Sequence, residues 1–175
     1  PAAGDRLYGQ DGCFAAHPFA YTKLDGEGRP MPSAAAWDDG YRMVRDENTG
    51  LVWEIKSPRP GDVNHAGDEY TWEEARGDYV GRLNARQYGG RDDWRLPNQD
   101  ELRSIVDYGR CDPAVDPRYF PECRPEFFWS AVPYAMQPEF AWGIFFGLGS
   151  GIAYGRGRPA CVRAVRGGRC DAFGH

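Results

Sequence analysis

Asp92-Asp93-Trp94-Arg95-Leu96-Pro97-Asn98-Gln99-Asp100-Glu101-Leu102 joins a polar turn to the start of a helix and sets a large aromatic between the two. Pro97 fixes one backbone angle and pushes Leu96 toward an extended conformation, so Trp94 to Leu96 is expected to run extended and stop at the proline. Asn98 then caps a helix. Its side-chain oxygen suits an orphan amide of the first turn, and Glu101, three residues on, completes a capping box. Asp100 and Glu101 match the positive end of the helix dipole, and Leu102, Ile105 and Val106 give an apolar helix face. The density of charge and aromatics suggests a functional centre. The residue types favour a scaffold instead, with Trp94 anchoring the core beneath the helix and Arg95 satisfying a carboxylate or backbone carbonyls.

Upstream, Tyr88-Gly89-Gly90 turns the chain into this stretch. Thr71-Trp72-Glu73-Glu74 is a second capping box, opening a helix whose Trp72, Ala75, Tyr79, Val80 and Leu83 form one stripe. Gly77 and Gly81 each weaken that helix by about 1 kcal/mol relative to alanine, so packing must hold it. Met43–Asp46 and Leu51–Ile55 flank Glu47-Asn48-Thr49-Gly50 and read as a β-hairpin. The loop Ser57–Asp68 carries Asp62, Asn64, His65 and Asp68, ligands of the kind that hold calcium, but their spacing matches no EF-hand and solvated turn residues are the preferred reading. Residues 1–40 are rich in breakers and are expected to form an irregular arm tied to the body by Phe14, Phe19, Tyr21 and Trp37.

Downstream, Cys111 to Glu126 is a connection with four prolines, too long to lie loose in a compact domain. A Cys111–Cys123 disulfide across it would remove on the order of 3 kcal/mol of unfolded-chain entropy. Strands are expected at 127–130, 140–146, 151–154 and 161–165, with Trp142, Ile144 and Phe146 on one face and Phe145 on the other. The loops 131–139 and 147–158 expose side chains between them. Gly147-Leu148-Gly149-Ser150-Gly151 resembles a phosphate cradle in composition only, because no helix pattern follows it.

The 175 residues suit a main body at 41–170, with the arm before it and a short tail at 171–175. High glycine (23) and proline (14), with 14% aromatics, predict an α+β, loop-rich fold of short strands and large anchors. The net charge of −5 argues against a nucleic-acid surface. Arg156, Arg158, Arg163, Arg166 and Arg169 nevertheless cluster near the end, where they either pair with carboxylates or meet an acidic partner. Five cysteines with no CxxC spacing favour disulfides in an oxidising compartment over zinc. No stretch is long and apolar enough for a membrane span. The chain begins at Pro1, which predicts a mature or trimmed form whose export signal is gone. No nucleophile elbow, phosphate loop, HExxH or dinucleotide fingerprint is present, and His17, His65 and His175 all fall in loops or termini.

In order, Tyr8-Gly9-Gln10-Asp11, Asn48 to Trp53, Tyr70 to Trp72, Asp93 to Pro97, Phe128-Trp129-Ser130, Ala141-Trp142 and Val162 to Gly168 resemble the bacterial Lcl C-terminal-like domain family, so the likeness spans nearly the whole chain. The resemblance implies a C-type-lectin-like fold, two helices flanking small antiparallel sheets, related to formylglycine-generating enzymes and to retroelement variable proteins. It also implies a bacterial, extracytoplasmic location and a ligand face on the carboxy-terminal strands; the named member's domain binds sulfated glycans. The enzyme relatives' active-site cysteine pair and the calcium motifs of sugar-binding lectins have no counterpart here. Where many members carry two further cysteines, this chain has Val80 and Ala164, so Cys111–Cys123 and a pair drawn from Cys13, Cys161 and Cys170 are expected to do the stapling.

The leading expectation is a binding or adhesion module without catalytic residues. Tyr134, Met136, Gln137, Glu139, Phe145, Leu148, Tyr154, Arg156 and Arg158 would contact a glycan or protein ligand, since aromatics and arginine contribute most at interfaces. The alternatives are a structural subunit packed against neighbours in a surface assembly, a retroelement-diversified receptor-binding protein, and an oxidative enzyme of the formylglycine type. No cofactor is expected beyond the calcium considered at 57–68.

Overall fold

The computed structural model describes residues 18–168, so Tyr8–Asp11, Cys13, Phe14, His17, Arg169, Cys170 and the tail 171–175 lie outside the described residues. Asp46 accepts from the Asn48 amide at 2.9 Å and the Thr49 hydroxyl at 2.8 Å, and Gly50 takes φ +73°, a left-handed angle that glycine adopts without steric cost. The chain therefore reverses as expected, pairing β2 (Met43–Asp46) with β3 (Leu51–Glu54), Val44 opposite Trp53. β1 (Tyr21–Leu24) adds to β2, and β7 (Val165–Gly167) adds to the far side of β3, for the order β1-β2-β3-β7. The arm expected to be irregular thus contributes an edge strand, because the free edge of β2 supplies the ladder that four residues lack alone. The strand expected at 161–165 is likewise shifted. Cys161 makes only a single bridge, to Phe128, and continuous pairing begins at Val165.

Both faces of this sheet are covered. Val44, Leu51, Trp53 and Ile55 enter one apolar cluster, Met43 and Val52 the other, as strand alternation requires. α1 runs from Trp72 to Ala85 through an α-helical start (Trp72–Glu74), a π turn (Ala75–Tyr79) and an α-helical end (Val80–Ala85). Its Trp72, Ala75, Tyr79 and Leu83 all lie in the second cluster, where Ala164 is buried and Val80 packs against it. α2 (Gln99–Ser104) sends Leu102 into the first cluster, followed there by Ile105 and Val106. Two helices thus flank small antiparallel sheets in an α+β arrangement, as the resemblance implied.

The second sheet, β4-β5-β6, spans Phe127–Pro133, Phe140–Phe145 and Ser150–Gly155. Ile144 and Phe146 face the first cluster and Phe145 packs against the second, as expected, whereas Trp142, expected with Ile144 and Phe146, belongs to neither cluster and is half-buried against Tyr134. A Cβ at Gly143 would collide with the Phe128 carbonyl oxygen and the Phe127 ring, so only glycine fits where the two strands meet. Reciprocal indole bonds fix β4 to the start of α1: Trp72 Nε1 donates to Ser130 O at 2.8 Å, and Trp129 Nε1 donates to Tyr70 O at 2.8 Å.

The Asp93–Leu102 stretch is the clamp between these parts. Arg95 exchanges both backbone bonds with Val165, and the Ala131 amide donates to Pro97 O at 2.7 Å, so the stretch touches both sheets. Asn98 and Glu101 form the expected capping box, and both Glu101 oxygens accept from Arg95 at 2.7 Å. Burial acts to raise the Glu101 pKa, but the Arg95 hydrogen bonds and the Asn98 amide outweigh it and hold it below the usual value; the Arg166 hydrogen bond lowers Asp93 similarly. Because both folded values are depressed, their stabilisation is fully present above the usual carboxylate range of about 4 to 4.5 and is lost as pH falls through the lower folded values. Urea midpoints measured from pH 7 to pH 3 are expected to fall, and to fall less steeply in Glu101→Gln. An unchanged slope in that variant would remove Glu101 from the effect.

The proline-rich connection is held without a cross-link. Cys111 and Cys123 are both free thiols, the first exposed and the second buried in the first cluster, so the expected Cys111–Cys123 bridge is absent. Backbone bonds do the work instead. Asp112 N donates to Gly147 O at 3.0 Å and Ala114 N to Phe146 O at 2.7 Å, while Ala114, Val115 and Phe120 are buried. Cys161 is also a free, buried thiol, its sulfur 3.5 Å from Arg124 Nη1. Cys13 and Cys170, its other expected candidates for pairing, lie outside the described residues.

Candidate functional site

The expected ligand residues divide between the two ends of the second sheet. At one end, a bulge between Trp129 and Pro133 turns β4 into the loop 134–139. That loop is closed by its own backbone: Tyr134 N donates to Phe140 O at 3.0 Å, Gln137 N to Tyr134 O at 3.2 Å, and Phe140 N to Gln137 O at 2.9 Å. Those three bonds fix its shape. Tyr134 stands edge-on to Trp142 at 5.1 Å, Met136 is 81% exposed, and Gln137 and Glu139 are exposed beside them.

Arg156 joins the loop to α1. Its amide donates to Glu139 O and its Nη1 to Pro138 O, each at 2.8 Å, while its guanidinium lies 3.9 Å from the Trp72 ring centre and pairs with Glu73. Arg156 is thus chiefly a strut. Arg158 is exposed over Tyr154, at 5.5 Å from its ring centre, and Tyr154 itself packs on Phe127 at 4.9 Å. At the opposite end, about 17 Å away along β5 by strand rise, Phe145 folds over Gly147 and Leu148 is 65% exposed. Tyr134, Met136, Gln137, Glu139, Arg156 and Arg158 thus gather at one end and Phe145 and Leu148 at the other.

The arginine-rich end of the chain is largely consumed by the fold. Arg166 Nε donates to Asp93 at 2.6 Å. Arg163 is buried, its Nη1 donating to Glu54 O at 2.9 Å, with Nε and Nη2 lacking partners among the described residues. In the loop 57–68 the prospective ligands bind within the protein. Asp62 accepts from the Ser57 hydroxyl, Asn64 donates to Ile55 O at 2.7 Å, and His65 Nδ1 lies 3.1 Å from Asp68.

One feature has no sequence signal, a cleft of about 690 Å³ between the arm and the proline-rich connection. It is lined by Lys23, Trp37, Tyr41, Lys56, Tyr119 and Pro121, among others. Its lysines read as ordinary surface residues until β1 is placed in the sheet.

Two helices flanking two small antiparallel sheets, with a loop closed by its own backbone at one end, define an α+β domain. The model of the Lcl C-terminal domain family matches residues 42–166, well over half of the chain, and the chain belongs to that family. A comparison with curated proteins finds no match. No helix among the described residues is long and apolar enough to cross a membrane.

Proposed function

We propose that this chain is a bacterial extracytoplasmic binding or adhesion module, not an enzyme, whose ligand face is the loop 134–139 with Arg158 beside it. The observation that carries this reading is the loop itself, three backbone hydrogen bonds holding a highly exposed Met136 next to the Tyr134–Trp142 pair. A preordered loop loses little entropy on binding, and aromatic, methionine and arginine side chains are the types enriched in interface cores. The partner on this reading is a glycan or a protein on another surface, and not a nucleic acid. No cofactor is required, and calcium at the loop 57–68 is not part of it.

The test is a glycan and protein array followed by affinity measurement on any hit. Tyr134→Ala and Met136→Asp are expected to weaken binding by at least tenfold while leaving the melting temperature within a few degrees, as hot-spot truncations do. Ligands bound equally well by both variants would exclude the loop. Exposed Leu148 and Tyr108 at the other end, with Ile152 partway along β6, favour the second reading, a subunit of a surface appendage or envelope complex. Stable oligomers in light scattering, dispersed by Leu148→Glu, would select it. A reverse transcriptase and an adenine-rich template repeat beside the gene would add diversification of the loop.

A further inference from the structure

Of the 21 basic residues, Lys23 and Lys56 are the two that are lysine. Both are buried, 6% and 3% exposed, and both line the cleft between the arm and the proline-rich connection. Everywhere else the chain uses arginine, which keeps its charge and spreads it. A lysine is a compact ammonium suited to receiving one small acceptor.

The two lysines differ in how their charge is met. Lys56 Nζ lies 2.8 Å from Glu54 and donates to the Tyr79 hydroxyl at 2.9 Å, so it is neutralised in place. Lys23 Nζ makes one hydrogen bond among the described residues, to Ala35 O at 2.6 Å, and stands 4.7 Å and 5.9 Å from the ring centres of Tyr41 and Tyr119. No carboxylate among the described residues pairs with it directly; Asp116 and Asp39 act on it from farther away, and burial pulls its pKa down. A second donor on the same cleft, Trp37 Nε1, is buried without a partner among the described residues. A buried donor without an acceptor is costly, and so is a buried ammonium that has one neutral acceptor and no paired carboxylate. A cleft of this size falls in the range that takes small molecules.

We propose that this cleft binds a small organic acid, its carboxylate received by Lys23 and its apolar body lying against Tyr119 and Pro121. The charge argues for a monoanion. One ammonium lacks a directly paired carboxylate, and Asp38 and Glu122 on the lining would oppose a dianion such as sulfate. This site is separate from the loop 134–139, so the two readings fail independently.

The experiment titrates the whole chain with benzoate, benzyl alcohol and sulfate, following heat and the indole N–H resonances. Benzoate is expected to bind and to move the Trp37 resonance, with benzyl alcohol and sulfate at least tenfold weaker. Lys23→Met is expected to weaken benzoate at least tenfold. Pro121→Asp, which sets a carboxylate in the cleft, is expected to do the same and decides the matter if Lys23→Met does not fold. Absence of benzoate binding, equal binding of sulfate or benzyl alcohol, or benzoate affinity unchanged in the folded variants would each overturn the proposal.

Discussion

Glu54→Ala is expected to lower the unfolding free energy by about 3–5 kcal/mol, because it strips a buried cation of its counter-charge. Glu54 is fully buried on β3, where its carboxylate accepts from the Tyr79 hydroxyl and from Lys56 Nζ. Lys56 also lies 4.6 Å from the Tyr79 ring centre, so the three groups form one closed unit between sheet and helix. Burial pushes the Tyr79 pKa up and the Lys56 pKa down, and the neighbouring Glu54 charge adds to the first effect and opposes the second. Removing the carboxylate leaves the Tyr79 phenol without an acceptor and a buried ammonium with no counter-charge, its remaining acceptor being the Tyr79 hydroxyl. The double variant Glu54→Leu, Lys56→Met is expected to recover most of the loss, since apolar pairs of similar volume replace buried ion pairs at little cost. Urea unfolding of the three proteins measures both effects. A single-variant loss below about 1 kcal/mol would show that water reaches the site.

Trp94→Ala is expected to cost about 3–5 kcal/mol, the range for removing a large buried aromatic. The indole is almost fully buried, Nε1 donates to Tyr88 O at 2.7 Å, and the ring stands edge-on to Tyr88 at 5.6 Å. Asn84 at the end of α1 brackets the same residue, accepting from its amide at 2.8 Å and donating to its carbonyl at 2.9 Å. The loss is therefore in stability, with affinity at the loop 134–139 unchanged in the folded fraction. A variant that melted normally but lost its ligand would move function back to this stretch.

The parts of the fold legible in the sequence are those set by local chemistry. Asn98 and Glu101, Thr71 and Glu74, and Asn48 to Gly50 specify caps and a turn through neighbours within three residues, and each stands where the pattern places it. β1 and β7 were not legible, because Tyr21–Leu24 and Val165–Gly167 are strands only by virtue of the edges they meet. The cysteines misled for a related reason. Spacing along the chain says how much entropy a bridge would remove, but it cannot tell that Cys123 faces the core while Cys111 faces solvent. The loop expected at 131–139 was recognisable as exposed, though β4 takes its first three residues, and its division from Phe145 and Leu148 follows from the length of β5. The cleft was hidden entirely, since a buried lysine and a surface lysine are spelled alike.

β1 and β7 occupy opposite edges of one sheet, and between them lie β2 and β3. The two ends of the described chain therefore connect through three antiparallel pairings in series. Tension applied between them, as in a tethered protein gripping a moving surface, would be carried by those ladders while the loop 134–139, on the other sheet, stays unloaded. β7 joins β3 by three residue pairs, as many as join β2 to β3, and the Arg166–Asp93 ion pair at this edge is placed to delay its peeling.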